Sequence, residues 1–187
     1  LHASAPNEVI HFDFLFMGPA ETGDQYLLLL KDDLSSFVWL VPCANADTQA
    51  TASALMDWFS LFGVSSTWVS DRGSHFKNKI METIRKTLRT RHHFTTANSP
   101  WANGTVERLC REVLRATRAL LSEFKLRPTQ WTEVHRIVQS VLNNTPSPHR
   151  NNIAPVTAFT GLPASSPLLS ITPSPTSQSL QLPEIRA

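Results

Sequence analysis

Three carboxylates stand where packing alone gives little reason for one. Asp13 lies inside the apolar run VIHFDFLFM, residues 9–17, between Phe12 and Phe14. A carboxylate buried there without a partner costs on the order of several kcal/mol, or shifts its pKa and neutralises. Asp71 ends the strand-like stretch TWVSD, two residues before Gly73. In sheets flanked by helices, ligands gather at the carboxyl ends of strands. Glu107 follows the stretch SPWANG, at the start of a helical pattern. Oxygen ligands of this kind suit a hard divalent cation. Each acid also has a structural alternative. Asp13 can pair with an arginine or with His11, Asp71 can cap a turn, and Glu107 can complement a helix dipole.

Cations accompany the acids. Net charge is only +2, yet Arg85 to Arg118 holds eight basic residues against two acids, Glu107 and Glu112. Such a patch suits a polyanion, nucleic acid above all. At about 100° per residue, Arg108, Arg111, Arg115 and Arg118 share a sector under about 90° wide, with Glu107 at its margin. Val106, Leu109, Val113, Leu120 and Phe124 lie opposite. One face therefore packs while the other presents cations, with Arg111 and Arg115 the leading phosphate contacts. A solvated face with a Glu112–Arg115 ion pair is the alternative.

The elements that must position these groups follow from periodicity and punctuation. Val9–Met17 reads as a central strand. QYLLLLKDDLSSFVWLVPC reads as two strands joined by a polar turn, in which Asp32 and Asp33 belong. DTQATASALMDWFSLFG reads as a helix capped by Asp47 or Thr48 and stopped by Gly63. Ser66–Val69 is a short strand, Lys77–Leu88 an amphipathic helix and His92–Thr96 another strand. ANSPWANG reads as a loop. Thr105–Phe124 is a long helix, and a last one runs from near Pro128 to about Asn144. His92 and His93, adjacent on a strand, face opposite sides and cannot share one metal. The expected organisation is a linker over 1–6, a core over 7–163 and a Pro/Ser-rich flexible tail over 164–187.

Composition narrows the class further. Apolar content is 41%, ordinary for a globular chain. No apolar run reaches the roughly 18 residues of a membrane span. The two cysteines exclude a disulfide scaffold and a Cys-rich zinc module. Cys110 is expected on the buried side of its helix. The first residue is Leu rather than Met, so a fragment or processed piece is expected.

Between Asp71 and Glu107 lie 35 residues. With Asp13 this makes a D,D(35)E pattern, which resembles the catalytic signature of retroviral and retrotransposon integrases. SDRGSHF resembles that family's S-D-x-G-x-x-F segment, and SPWANGTVER its S-P-x-x-N-G-x-V-E-R segment. APVTAFTGLP, residues 154–163, is similar to the P-x-x-x-x-x-G element of gypsy-type elements.

The resemblance implies an RNase H-like α/β fold, a five-stranded mixed sheet with helices on both sides, in which the first and fourth strands are neighbours. It implies polynucleotidyl transfer without a covalent enzyme intermediate: trimming of DNA 3′ ends, then joining to target DNA. It implies Mg²⁺ or Mn²⁺, two ions with substrate bound, with Asp13 bridging them and Asp71 and Glu107 each holding one. Pro100, Trp101 and Asn103 become candidate contacts to the DNA end, beside Arg108, Arg111 and Arg115. A homo-oligomer, nuclear action and no membrane association are further expectations.

The match has departures. Arg72 replaces an Asn common in retroviral versions, which points to a retrotransposon origin. His2, Cys43 and Cys110 are too scattered for the zinc module that accompanies such cores in longer proteins, so the expectation is a catalytic core plus tail. Competing readings are a decayed or domesticated nucleic-acid-binding module of the same fold, and an RNase H-type nuclease.

Overall fold

A computed structural model of the chain describes residues 2–71, 73, 76, 78–95, 100–148 and 151–165, with the backbone alone for 100–105. The expected positions Arg72, His75, Lys77, Thr96, residues 97–99 and the tail beyond 165 lie outside the described residues.

Five strands form one sheet: β1 (Val9–Phe16), β2 (Tyr26–Asp32), β3 (Val38–Cys43), β4 (Thr67–Ser70) and β5 (Arg91–Phe94). Their spatial order is β3-β2-β1-β4-β5. The first three pair antiparallel, whereas β4 runs parallel to both β1 and β5. This is the mixed sheet expected, with the first and fourth strands side by side.

Alternation along the central strands divides the core. Ile10, Phe12, Leu28 and Leu30 turn to one face and pack with Trp58 and Met81. Those two come from α1 (Thr48–Phe62) and α2 (Lys79–Leu88). Leu27 and Leu29 turn to the other face and meet Leu109, Val113, Trp131 and Val138. These belong to α3 (Pro100–Glu123) and α4 (Trp131–Asn144). Punctuation works as read. Asp47 accepts from Ala50 N–H at the start of α1, and Gly63 closes that helix with φ 81°. Asn78 caps α2 through Ile80 and Met81 N–H.

Two elements differ from expectation. Residues 100–104, read as loop, are the first turns of α3. Proline at a first helical position costs no hydrogen bond, because N–H groups there have no helical acceptor. So the glycine and proline that signalled a loop are absorbed into the helix. The second is a short helix, α5 (Pro155–Thr160), that periodicity did not reveal. It is only six residues long, opened by Pro155 and closed by Gly161 at φ 77°. Phe159 stacks on Phe37, with ring centroids 4.7 Å apart.

The free edge of β3 is closed by side chains rather than by another strand. Asn143 on α4 accepts from Val38 N–H and donates to Val38 C=O, both at 2.8 Å. One turn earlier, Gln139 accepts from Leu40 N–H at 2.7 Å. Two amides four residues apart thus satisfy an edge that would otherwise need burying or charging. Asn143→Leu keeps the volume but strips both Val38 groups of a partner. It is expected to lower unfolding stability by about 2–4 kcal/mol in urea titration. A loss below about 0.5 kcal/mol would show the clamp to be idle.

Candidate active site

Strand register brings the first two acids together. His11 of β1 is paired with Val69 of parallel β4. Asp13 and Asp71 each lie two residues further on. Two steps along a strand return a side chain to the same face, and parallel neighbours advance in the same direction. Both carboxylates therefore emerge side by side, on the α3 face, where β4 ends. Phe94 pairs with Ser70, so Thr95 stands just past the end of β5.

A cavity of about 500 Å³ opens at this point, lined by Asp13, Asp71 and Glu107 together with His11, Cys110 and Arg111. The three sequence-selected acids thus share one concavity. Asp13 is half-buried and Asp71 and Glu107 are exposed. Burial, and secondarily the Asp71 charge, push the Asp13 carboxyl up to about 6. The Phe14 N–H, donating to Asp13 Oδ1 at 2.8 Å, pulls the other way. Asp71 Oδ1 accepts from Gly73 N–H at 2.8 Å, the turn role weighed for it, without leaving the cavity.

α3 supplies the third wall. Leu109 and Val113 anchor it on the sheet, which sets the rotation of the helix and hence the aim of Glu107. Cys110, expected to be buried, is half-buried and lines the acid cavity. Its position one turn along from Val106 lies between the packed and exposed faces. Burial, the Asp13 charge and the Glu107 charge push its thiol up to about 11. It therefore stays protonated near neutrality and is no thiolate nucleophile.

The basic stripe does not form a single wall of this site. Arg111 lines the acid cavity. Arg108 and Arg115 line a second concavity of about 690 Å³, on the far side of α3, floored by α4 and the prolines that follow it. The stripe is the ridge between the two. Its members are exposed, and among the described residues no Glu112–Arg115 ion pair forms. Pro100, Trp101 and Asn103 lie on the backbone of the first turns of α3.

Three groups near the site have partners worth setting against the sequence reading. His11, weighed as a partner for Asp13, instead meets Asp33, Nε2 to Oδ1 at 3.0 Å. Asp33 stands in the turn, as read, and its side chain reaches back to make that contact, while Asp32 holds the turn through Ser35 N–H and Oγ. His92 is occupied by Ser70 Oγ at 2.9 Å, and burial lowers it to about 4. The available signal for His11 was its position two residues before Asp13.

The donor set suits a hard divalent cation. It consists of carboxylate oxygens, of which Asp13 is raised chiefly by burial, with the Asp71 charge adding to it. Among the described residues, no three His, Cys, Asp or Glu side chains are grouped closely enough to hold a metal ion.

Residues 3–100 match the family model described as integrase core domain. The chain is 29% identical over 143 residues to the Pro-Pol polyprotein of simian foamy virus type 3 (strain LK3), covering 76% of this chain and 12% of that protein. It is 30% identical over 113 residues to the retrovirus-related Pol polyprotein from transposon 412 of Drosophila melanogaster, covering 60% of this chain and 9% of the relative. The chain thus spans about a tenth of the relatives it matches. Among solved structures, the HTLV-2 integrase catalytic core domain in complex with magnesium (trimeric form) aligns at TM-score 0.71. That match has 16% identity, over 84% of this chain and 99% of that one. A simian T-cell lymphotropic virus intasome in complex with PP2A regulatory subunit B56 gamma aligns at TM-score 0.74 and 16% identity, over 98% of this chain and 63% of that one.

The burial of Asp13, with the Asp71 charge beside it, has a measurable sign. Its folded pKa, about 6, lies above the ordinary 3.8. The native state therefore binds more protons than the unfolded state between those values, and stability falls as pH rises through them. The difference corresponds to at most about 3 kcal/mol. Asp13→Asn is expected to stabilise the chelator-treated chain at pH 7.5 by about 2–3 kcal/mol, and to change little near pH 4. Equal effects at both pH values in thermal melts would refute the raised Asp13 pKa.

Proposed function

The chain belongs to the integrase core domain family, and on that premise we propose that it is a metal-dependent polynucleotidyl transferase core that trims DNA 3′ ends and joins them to target DNA. The observation that carries this reading is the meeting of Asp13, Asp71 and Glu107 in one cavity, from two neighbouring strands and a helix.

In this reading Asp13, Asp71 and Glu107 hold Mg²⁺ or Mn²⁺. Bound divalent metal supplies Lewis-acid stabilisation of charge on the attacking and leaving oxygens of an in-line displacement. The chain's own groups do the rest. Arg111, on the rim beside Glu107, holds a phosphate by charge-assisted hydrogen bonds and fixes the strand relative to the acids. Pro100, Trp101 and Asn103 contact the DNA end from the first turns of α3. Arg108 and Arg115 extend the phosphate track over the ridge. The Cys110 thiol stays neutral and adds no charge to the cavity.

A homo-oligomer belongs to the same reading. Ile137 and Val141, one turn apart on α4, are 42% and 47% exposed, and two solved relatives are described as dimeric and trimeric forms. Action in the nucleus follows from the proposed substrate.

The test is strand joining by the full chain on end-mimicking DNA with Mg²⁺ or Mn²⁺. Losing one carboxylate that contributes about 3 kcal/mol to the transition state costs about 100-fold in rate. Asp71→Asn and Glu107→Gln are each expected to lose at least that, with DNA binding retained. Binding without joining in the unaltered chain would instead assign it to the decayed or domesticated class, and cutting of RNA–DNA hybrids to the nucleases.

The basic ridge gives a second prediction. Arg111→Glu with Arg115→Glu should weaken DNA binding and make its salt dependence shallower, by about 0.9 in log–log slope for each phosphate the chain no longer neutralises. An unchanged slope would remove the ridge from the DNA path.

A further inference from the structure

The sheet has two outer strands, and their free edges are treated differently. Asn143 and Gln139 close that of β3 from α4. β5 is the other outer strand. Its Arg91 N–H donates to Ser66 C=O at 2.9 Å, and the following Thr95 N–H donates to Ser70 C=O at 2.8 Å. Successive residues of a strand send their backbone groups to opposite sides. Arg91, His93 and Thr95 therefore serve β4, and the N–H and C=O groups of His92 and Phe94 point outward. Among the described residues, no strand and no side chain takes up these outward groups. Such an edge is a template for another extended chain.

Two concavities border it. One, of about 580 Å³, lies toward α2, where Phe76, Met81 and Phe94 line it together with Lys79, Glu82 and Arg85. The other, of about 450 Å³, reaches round the strand, since His92 of one face and Arg91 and His93 of the other both line it. Arg91 and His93 are exposed. Across α2 and β5, Lys79, Arg85, Lys86, Arg89 and Arg91 stand against a single acid, Glu82. That acid is already paired, with Arg85 at 2.7 Å and Lys86 at 3.3 Å. Glu8 feels the Arg91 charge, but its carboxylate is held by Ser4 and Ala5 N–H.

We propose that the outer edge of β5 binds an extended peptide as a sixth strand, one in which apolar and acidic residues alternate. Side chains of an added strand point to its two faces in turn. Those on the α2 side enter the concavity of Phe76, Met81 and Phe94, and those between them meet Arg91 and His93. A second copy pairing through its own β5 would set these two residues against their counterparts, and like charges opposed across a strand pair are unfavourable. Charge therefore selects an acidic partner over self-association.

The test uses the full chain and does not depend on whether it joins DNA. The probe is a fluorescent peptide of alternating valine and glutamate, capped at both ends. Anisotropy is expected to show saturable binding, and none at concentrations up to about 1 mM would overturn the proposal. N-methylating one alternate set of the peptide's amides should abolish binding and methylating the other set should not, because only one edge of the peptide meets β5. Equal binding by both methylated peptides excludes strand addition. Arg91→Glu, at an exposed position, should weaken the valine–glutamate peptide about tenfold and strengthen a valine–lysine counterpart. Amide hydrogen exchange reads the edge directly: His92 and Phe94 should exchange faster than His93 in the free chain and slow when peptide is added. If these two amides are already protected in the free chain, the edge is covered and the proposal fails. Self-association that protects them would give the edge to a second copy. Displacement of the peptide by duplex DNA, with no such protection, would assign the cations to nucleic acid instead.

Discussion

The parallel pairing of β1 with β4 is the constraint on which the site depends. Adjacent strands lie about 4.8 Å apart, and this register gives Asp13 and Asp71 the same height and the same face. Burial raises the Asp13 carboxyl, and the neighbouring Asp71 charge adds to the effect. The repulsion cannot be relaxed by a rotamer change alone, because the backbone positions are set by paired residues further down each strand. Much of the surrounding structure serves to keep those strands together. On the opposite face Phe12 of β1 meets Trp68 of β4 edge-on, with centroids 6.3 Å apart, and Phe76 at 5.0 Å. Aromatic packing behind the sheet thus holds like charges in place in front of it.

The helix that completes the site is positioned by different forces. α3 has no strand partner to fix its register and relies on side-chain packing against β1, β2 and α4. Leu109 and Val113 on the sheet side dictate that Glu107 and Arg111 face the acids while Arg108 and Arg115 overlook the second concavity. Rotating the helix by one residue's angle, about 100°, would exchange these roles. The aim of Glu107 is therefore a packing result, whereas the adjacency of Asp13 and Asp71 is a hydrogen-bonding one.

This difference explains what was legible in the sequence. The strands, α1, α2 and α4 carried their periods openly, and α1 its caps, because alternation and 3.6-residue recurrence are local properties; the start expected near Pro128 is a separate 3-10 turn, Pro128–Gln130, before α4. The three acids were legible through spacing and the motifs around them. The first turns of α3 were not, because Pro100 and Gly104 are breakers inside a helix and tolerable near its start. α5 is too short to display a period. The Asn143 and Gln139 clamp and the His11–Asp33 pair join residues 105, 99 and 22 positions apart. No window along the chain contains the first two, and nothing in a turn sequence announces that one of its two aspartates reaches back to a neighbouring strand.

Acids on the floor and arginine on the rim of one cavity make opposite demands of a ligand. A simple cation would be drawn to Asp13, Asp71 and Glu107 but gains nothing from Arg111. A simple anion would be held by Arg111 and repelled by three carboxylates. Binding both charge signs within a few ångströms is favourable only for a ligand that carries both. On the proposed reading, a phosphodiester chain with associated divalent cation would meet that condition, its phosphates satisfying the rim and the cation neutralising the floor. Each component lowers the cost of bringing in the other, so the two should bind cooperatively. The same arrangement makes the cavity a poor host for either one alone, which is the selectivity expected of a site that acts on polyanions.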